Sequence, residues 1–250
     1  EVATNTPILD GGARGLFGGG STPSNSDVID FVTISTQGNA TDFGNLTDER
    51  QWVFGAASSR VRGVWTGGFT PSISDIIDFV TISTIGDATD FGDLVIGQRF
   101  GAVCSDAHGG LNDGYQGTRP LPFNEAGGDR MLYAGGYDGS SGITTVDFMT
   151  VSTTGNASIF GNLGTANTHA SAGGGNKTRF VYSGGTDPGR SNIIGYAEYS
   201  TLGATKDFGN LTVGRDGVAA ASNNTRFLTL GGYAGSGGGE DEVDYVTIST

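Results

Sequence analysis

Carboxylates are the most numerous groups here that could do chemistry. The chain has 26 Asp and Glu against 13 Lys and Arg, a formal net charge of −13 over 250 residues. Four of them, Asp30, Asp78, Asp147 and Asp244, recur in near-identical surroundings: DFVTIST, DFVTIST, DFMTVST and DYVTIST. A ring of carboxylates could hold cations or exchange protons. Equal copies of one catalytic group are rare, however, so the repeated aspartate reads as structural, an acceptor for backbone N–H groups at a sheet edge. Five arginines that recur with the same beat, Arg14, Arg62, Arg130, Arg179 and Arg226, take the same reading.

Oxygen ligands for Ca2+ are available in Asp27, Asp75, Asp138, Asp187 and the run Glu240-Asp241-Glu242. None of these follows the spaced ligand series of an EF-hand loop, so no cofactor is expected, with Ca2+ as the alternative. The acidic triplet reads as a solvated loop tip. Cys104 is the single cysteine, which excludes an internal disulfide and a cysteine-based zinc cluster and suits a small core residue. His108 and His169 are the only histidines. Gly18-Gly19-Gly20 and Gly237-Gly238-Gly239 precede neither a helix nor a Lys-Ser/Thr pair and are not phosphate cradles. The triplets at Asn39, Asn156 and Asn210 match a glycosylation acceptor, but Asp87 stands at the position of Asn39, so the turn requires only a short polar residue. The acidic balance, with no basic stripe, disfavours nucleic acid. No run of 18 apolar residues suggests membrane insertion, and no signal-peptide pattern opens the sequence.

These residues are set by a repeat. The five arginines stand 48, 68, 49 and 47 apart, so one unit spans about 48 residues and the third carries roughly 20 more. A second element keeps the same beat: Phe43-Gly-Asn-Leu46, Phe91-Gly-Asp-Leu94, Phe160-Gly-Asn-Leu163 and Phe208-Gly-Asn-Leu211. Each unit parses into four strands. The first is built of small residues, as in Trp52 to Ser58, Phe100 to Ser105 and Gly217 to Ser222, which suits the crowded position beside an axis. The second runs from the arginine to a Gly pair. The third, Val28 to Thr36 and its equivalents, is apolar on both parities and so predicts cover on both faces. A tight turn such as Gly38-Asn39 leads to the fourth, which ends in Phe-Gly-Asn/Asp-Leu. The high glycine content, 46 residues, falls at fixed offsets in this repeat and marks turns rather than a flexible linker.

Four-stranded units of this kind stack radially. The predicted fold is all-β, a single five-bladed β-propeller with blades near 1–48, 49–96, 97–165, 166–213 and 214–250. Only four fourth strands are countable. Either the last blade has three, or a strand outside the sequence completes it.

The extra residues of the third unit, Asp106 to Asp129, interrupt the repeat between its first and second strands and are where a specific function is sought first. His108, Asn112, Asp113, Tyr115, Arg119, Asn124 and Glu125, with Phe123 among them, combine ring stacking and planar hydrogen bonding of the kind that recognises sugars or proteins. The same segment could instead contact a neighbouring subunit or plug one face of the ring. It leaves the sheet on the face opposite the acidic second-to-third loops, so the two cannot readily share a site.

Arg followed by four residues and Gly-Gly, an acidic-aromatic third strand and an aromatic in the fourth resemble the kelch repeat, with Phe43, Phe91, Phe160 and Phe208 where kelch units carry Trp. Val28 to Thr36 with Gly38 to Leu46 is more closely similar to the long kelch-like repeats of tailed-phage virion proteins. The resemblance covers all but the insertion and lies in scaffold residues, so it carries over no catalytic or binding residue. It implies an exterior virion module, extracellular, with other virion subunits or further copies of itself as partners, that binds a host surface glycan or protein or another virion component; no catalytic constellation is identifiable, so no enzymatic activity is expected. A propeller glycoside hydrolase is the alternative. It needs two or three carboxylates about 5–10 Å apart, for which Asp113, Glu125 and Glu198 are the residues that stand outside the repeat. A scaffold without ligand is a third reading. The ligand set of the kelch copper oxidases and sialidase-type Asp boxes are both absent from the sequence.

Overall fold

The computed structural model describes residues 14–53, 55–59, 61–107, 129–167, 171–186, 188–235 and 238–248. They form five small antiparallel sheets arranged in a ring, a five-bladed β-propeller, with no helix among them. Blade 1 contains β1 (Arg14–Gly18), β2 (Val28–Thr33) and β3 (Thr41–Asn45). Blade 2 contains β4 (Gly55–Ser58) and β5 (Arg62–Thr66), then a small hairpin of β6 (Phe69–Thr70) and β7 (Ser72–Ile73), then β8 (Ile76–Thr81) and β9 (Thr89–Asp93). Blade 3 contains β10 (Ala102–Ser105), β11 (Arg130–Ala134), β12 (Ile143–Thr150) and β13 (Ser158–Asn167). Blade 4 contains β14 (Ala172–Gly175), β15 (Arg179–Ser183), β16 (Ile193–Glu198) and β17 (Lys206–Asn210). Blade 5 contains β18 (Ala219–Ser222), β19 (Arg226–Leu230) and β20 (Val243–Thr247).

The small-residue strands β4, β10, β14 and β18 pack beside one another and form the inner wall. β4, β10 and β18 begin two or three residues later than the sequence pattern suggests. Trp52 and Phe100 have φ of +55° and +68°, which ends extended backbone before the strand starts.

The core lies between blades rather than inside them. On β11, Met131 and Tyr133 join the cluster shared with blade 2, while Leu132 and Ala134 join the one shared with blade 4, as the two-residue period of a strand requires. Each Phe of the Phe-Gly motif meets the aromatic of its own third strand edge-on. Phe31 to Phe43 is 5.9 Å, Phe79 to Phe91 is 5.8 Å and Tyr196 to Phe208 is 5.5 Å between ring centres.

Backbone contacts link neighbouring blades. The carbonyls of Phe43 and Asn45 accept the N–H groups of Gly86 and Ala88 in the next blade's turn, at 2.9 and 2.7 Å. Phe91 and Asp93 do the same for Gly155 and Ala157, and Phe160 and Asn162 for Gly203 and Thr205. The glycine between each pair is there because a Cβ on Gly92 would lie 2.6 Å from the Gly155 carbonyl. The recurring arginines tie the other end. Arg14, Arg62, Arg130 and Arg179 donate to the carbonyls of Ile82, Val151, Tyr199 and Ile248, each in the following blade. Each also stacks over an aromatic of its own third strand, as does Arg226 on Tyr245.

The two-sided cover expected of the third strand holds in blades 2 to 4 and fails at one flank each of blade 1 and blade 5. Ile34 is 63% exposed where its equivalent Ile82 is 5% exposed. Val28, Val243 and Tyr245 are exposed as well. Among the described residues, no apolar cluster joins blade 5 to blade 1.

Candidate functional site

The residues singled out in the insertion, His108, Asn112, Asp113, Tyr115, Arg119, Phe123, Asn124 and Glu125, lie outside the described residues, as do His169 and Asp187. The base of the insertion is described. Asp106 N donates to Arg130 O at 2.9 Å and Arg130 N to Asp106 Oδ1 at 2.8 Å, so the two arms leave the β10–β11 hairpin side by side. A cleft of about 450 Å3 opens there, lined by Asp106, Asp129, Arg130, Lys177, Thr178 and Tyr199 among others. Burial pushes the Asp106 carboxyl up to about 6 against the pull of its backbone hydrogen bond. Both carboxylates hold their own blade: Asp129 Oδ1 accepts Ser152 N at 2.7 Å. The half-buried thiol of Cys104 lies beside Tyr199 below, and desolvation raises it to about 11, which leaves it an inert group at the edge of the core.

The loops of the opposite face present a second arrangement that the sequence reading did not identify. The segment entering each inner strand pairs with the residue after the Gly pair. Phe69 N donates to Gln51 O at 2.8 Å, and Tyr137 N to Arg99 O at 2.9 Å. These bridges draw the aromatics of two blades together. The Trp52 ring centre is 5.3 Å from Phe69 and 5.7 Å from Phe100, tilted at 49° and 45°. The Arg99 guanidinium carbon lies 4.2 Å from the Trp52 ring, 4.9 Å from Phe100, 5.3 Å from Phe69 and 5.5 Å from Tyr137. A cation over several ring faces is held by their quadrupoles. Among the described residues no carboxylate pairs with Arg99.

Trp52 is 40% exposed, and its ring forms one wall of a cleft of about 390 Å3 floored by Gly18, Gly19, Gly20 and Ser21, with Gln51 and Val53. Backbone groups of a glycine run, a planar indole and a cation held by rings are the components of a stacking site with polar ends. Trp52 and Phe100 both occupy left-handed backbone, where blade 5 has Gly217 at φ +61°. Bulky side chains in that region are strained, and strain of this kind concentrates at binding sites. The signal was readable in the sequence: each aromatic stands six residues after the Leu of Phe-Gly-Asn/Asp-Leu, a register at which blade 5 has glycine. A smaller version exists in blades 4 and 5, where Arg190 lies 4.3 Å over Tyr233 and 3.3 Å from Asp216.

Asp78, Asp147 and Asp244 are acceptors between blades, and Asp30, Asp78 and Asp147 each stand at a register shift between third and fourth strands. Asp78 accepts from Thr47 Oγ1 at 2.5 Å and from the Arg50 guanidinium, and Arg50 and Asp78 are both wholly buried. Burial raises Asp78 and lowers Arg50, each opposed by the attraction of the other. Asp244 is held likewise by Thr212 and by Arg215 Nη2 at 2.5 Å. Of the loop carboxylates, Asp138 is committed to its own turn and accepts Ser140 N and Ser141 N at 2.8 Å, which lowers its carboxyl. Among the described residues, no group of three or more His, Cys, Asp and Glu converges on one point.

No protein-family model matches the chain, and no curated protein matches it.

Proposed function

We propose that the chain is an exterior recognition module of a phage particle, a rigid ring that binds a host surface glycan at the Trp52 ledge. The exposed indole, braced by Phe69 and Phe100 and adjoining the Gly18–Ser21 cleft, carries the glycan reading. A sugar ring stacks on the indole, and Arg99 offers planar N–H donors to a hydroxyl or carboxylate at its edge. Because the rings are fixed by packing and by backbone bridges, little ordering opposes binding. The virion setting rests on the similarity of Val28 to Leu46 to repeats of tailed-phage particles. A hydrolase reading at the opposite cleft is weaker, because Asp106 and Asp129 already serve as acceptors within blade 3.

Retention on an array of bacterial surface polysaccharides tests this. The parent chain should bind a subset, and Trp52→Ala and Arg99→Gln should each weaken binding at least tenfold with folding intact. Binding untouched by both substitutions would exclude the ledge. Retention of a virion protein or host protein in place of any glycan would leave an attachment role with a different partner.

A further inference from the structure

We propose that blade 3 contains a buried site for one monovalent metal cation, seated where blades 2 and 5 place a guanidinium. In blade 2, Arg50 Nη1 donates to Gly67 O at 3.2 Å and Ile76 O at 3.0 Å, and Nη2 meets Asp78. In blade 5, Arg215 Nη1 donates to Glu242 O at 3.1 Å, and Nη2 meets Asp244. The receptor is therefore a carboxylate with two backbone carbonyls in blade 2 and one in blade 5. Blade 3 keeps it: Gly135 N donates to Thr145 O just as Gly67 N does to Ile76 O, and Asp147 stands where Asp78 does.

What blade 3 changes is the cation. Gln98 takes the slot of Arg50, with the same main-chain bonds on either side. Gln98 N donates to Ser74 O and Gly68 N to Gln98 O, as Arg50 N does to Ser26 O and Gly20 N to Arg50 O. Gln98 and Asp147 are both wholly buried. Gln98 Oε1 and Nε2 and Asp147 Oδ1 have no hydrogen-bond partner among the described residues. Asp147 also lacks the hydroxyl that Thr47 and Thr212 supply in the other blades, because Val95 stands there and offers only its N–H, at 3.2 Å. A wholly buried carboxylate with one donor and, among the described residues, no counter-charge is costly.

Blade 4 meets the same loss differently. It has Asn167 in the arginine register and drops the carboxylate too, with Gly195 there and the Tyr182 ring against it. Blade 3 retains the carboxylate. Its oxygens, from Asp147, Thr145, Gly135 and Gln98, are the hard ligands that alkali and alkaline-earth ions prefer, and their single negative charge balances one positive charge. Water could satisfy some lone pairs but would leave the charge uncompensated. The site is separate from the acidic loops and uses a single carboxylate.

The test is thermal unfolding of the whole chain at pH 8 in LiCl, NaCl, KCl and tetramethylammonium chloride at equal ionic strength. One alkali ion should raise Tm by about 3–8 °C over tetramethylammonium, with saturation. Gln98→Arg supplies the guanidinium and should give the raised Tm in every salt, without cation dependence. Asp147→Asn should also remove the dependence. Equal Tm values in all four salts would overturn the proposal, as would a cation increment that survives Asp147→Asn. A Gln98→Arg gain in a parent indifferent to the cation would likewise refute it, and would assign water or a proton to Asp147.

Discussion

The Arg99 guanidinium carbon lies 4.2 Å from the centre of the Trp52 ring, while Trp52 itself sits at φ +55°, the conformation Gly217 adopts in blade 5. Contact and backbone strain therefore oppose each other at one residue. Trp52→Gly relieves strain of about 1–2 kcal/mol and loses the ring contacts. Its stability in urea unfolding should fall within about 1 kcal/mol of the parent. Trp52→Ala keeps the strain and loses the ring, so it should be the less stable of the two by about 1 kcal/mol. Both should lose glycan retention. An alanine variant as stable as the glycine variant would show that the backbone there is unstrained.

The buried pair of Arg50 and Asp78 predicts strong coupling. Arg50→Met leaves a carboxylate without its counter-charge and should cost about 3–5 kcal/mol, and Asp78→Asn should cost a similar amount. The double variant buries neither charge, so it should lose less than the two single costs combined, by about 2 kcal/mol or more. Urea unfolding of the three variants and the parent measures this directly, and additive losses would mean that the pair contributes no specific interaction.

The repeat disclosed most of the fold because its marks are steric and periodic. Phe-Gly-Asn/Asp-Leu is written where the fourth strands of blades 1 to 3 approach the next blade's turn, and the third strand is apolar on both parities because a blade lies on either side. The ledge was hidden for the opposite reason. Trp52 and Phe100 adjoin runs of small residues and look like their first members, and only a positive φ separates them from the strand. Arg50 was hidden among Asp48, Glu49 and Gln51, a stretch whose polarity suggests a solvated loop. The register Leu46 to Arg50, Leu94 to Gln98 and Leu211 to Arg215 was visible, but burial of the first and third side chains against a carboxylate was not. The insertion residues stood out by breaking the pattern, which located a departure from the scaffold without giving its geometry.

Two carboxyls fix the sign of a pH dependence. Burial pushes Asp106 and Asp147 up to about 6, above the ordinary value of 3.8. Between those values the folded chain binds more protons than the unfolded chain, so their contribution is full below about pH 4 and is lost as pH rises through 6. In tetramethylammonium salts, where no metal cation can compensate Asp147, the stability of Asp147→Asn relative to the parent should rise from pH 4 to pH 7. The rise should be on the order of 2–3 kcal/mol. A flat difference across that interval would show that the carboxyl titrates near its ordinary value.

Gly92 and Gly209 are equivalent residues with equivalent backbone, φ +143° and +142°, yet they have different neighbours. A Cβ on Gly92 would lie 2.6 Å from the Gly155 carbonyl carbon and oxygen, whereas among the described residues one on Gly209 meets nothing within 4 Å. Gly209→Ala therefore reports the conformational cost alone. Gly92→Ala adds displacement of the blade 3 turn and of the bonds from Gly155 N to Phe91 O and Ala157 N to Asp93 O, each 2.7 Å. Gly92→Ala should be the more destabilising by about 2–4 kcal/mol, read as the difference in unfolding free energy between the two variants. Equal losses would mean that the blades are held by their apolar clusters and that the backbone contacts between them can shift without cost.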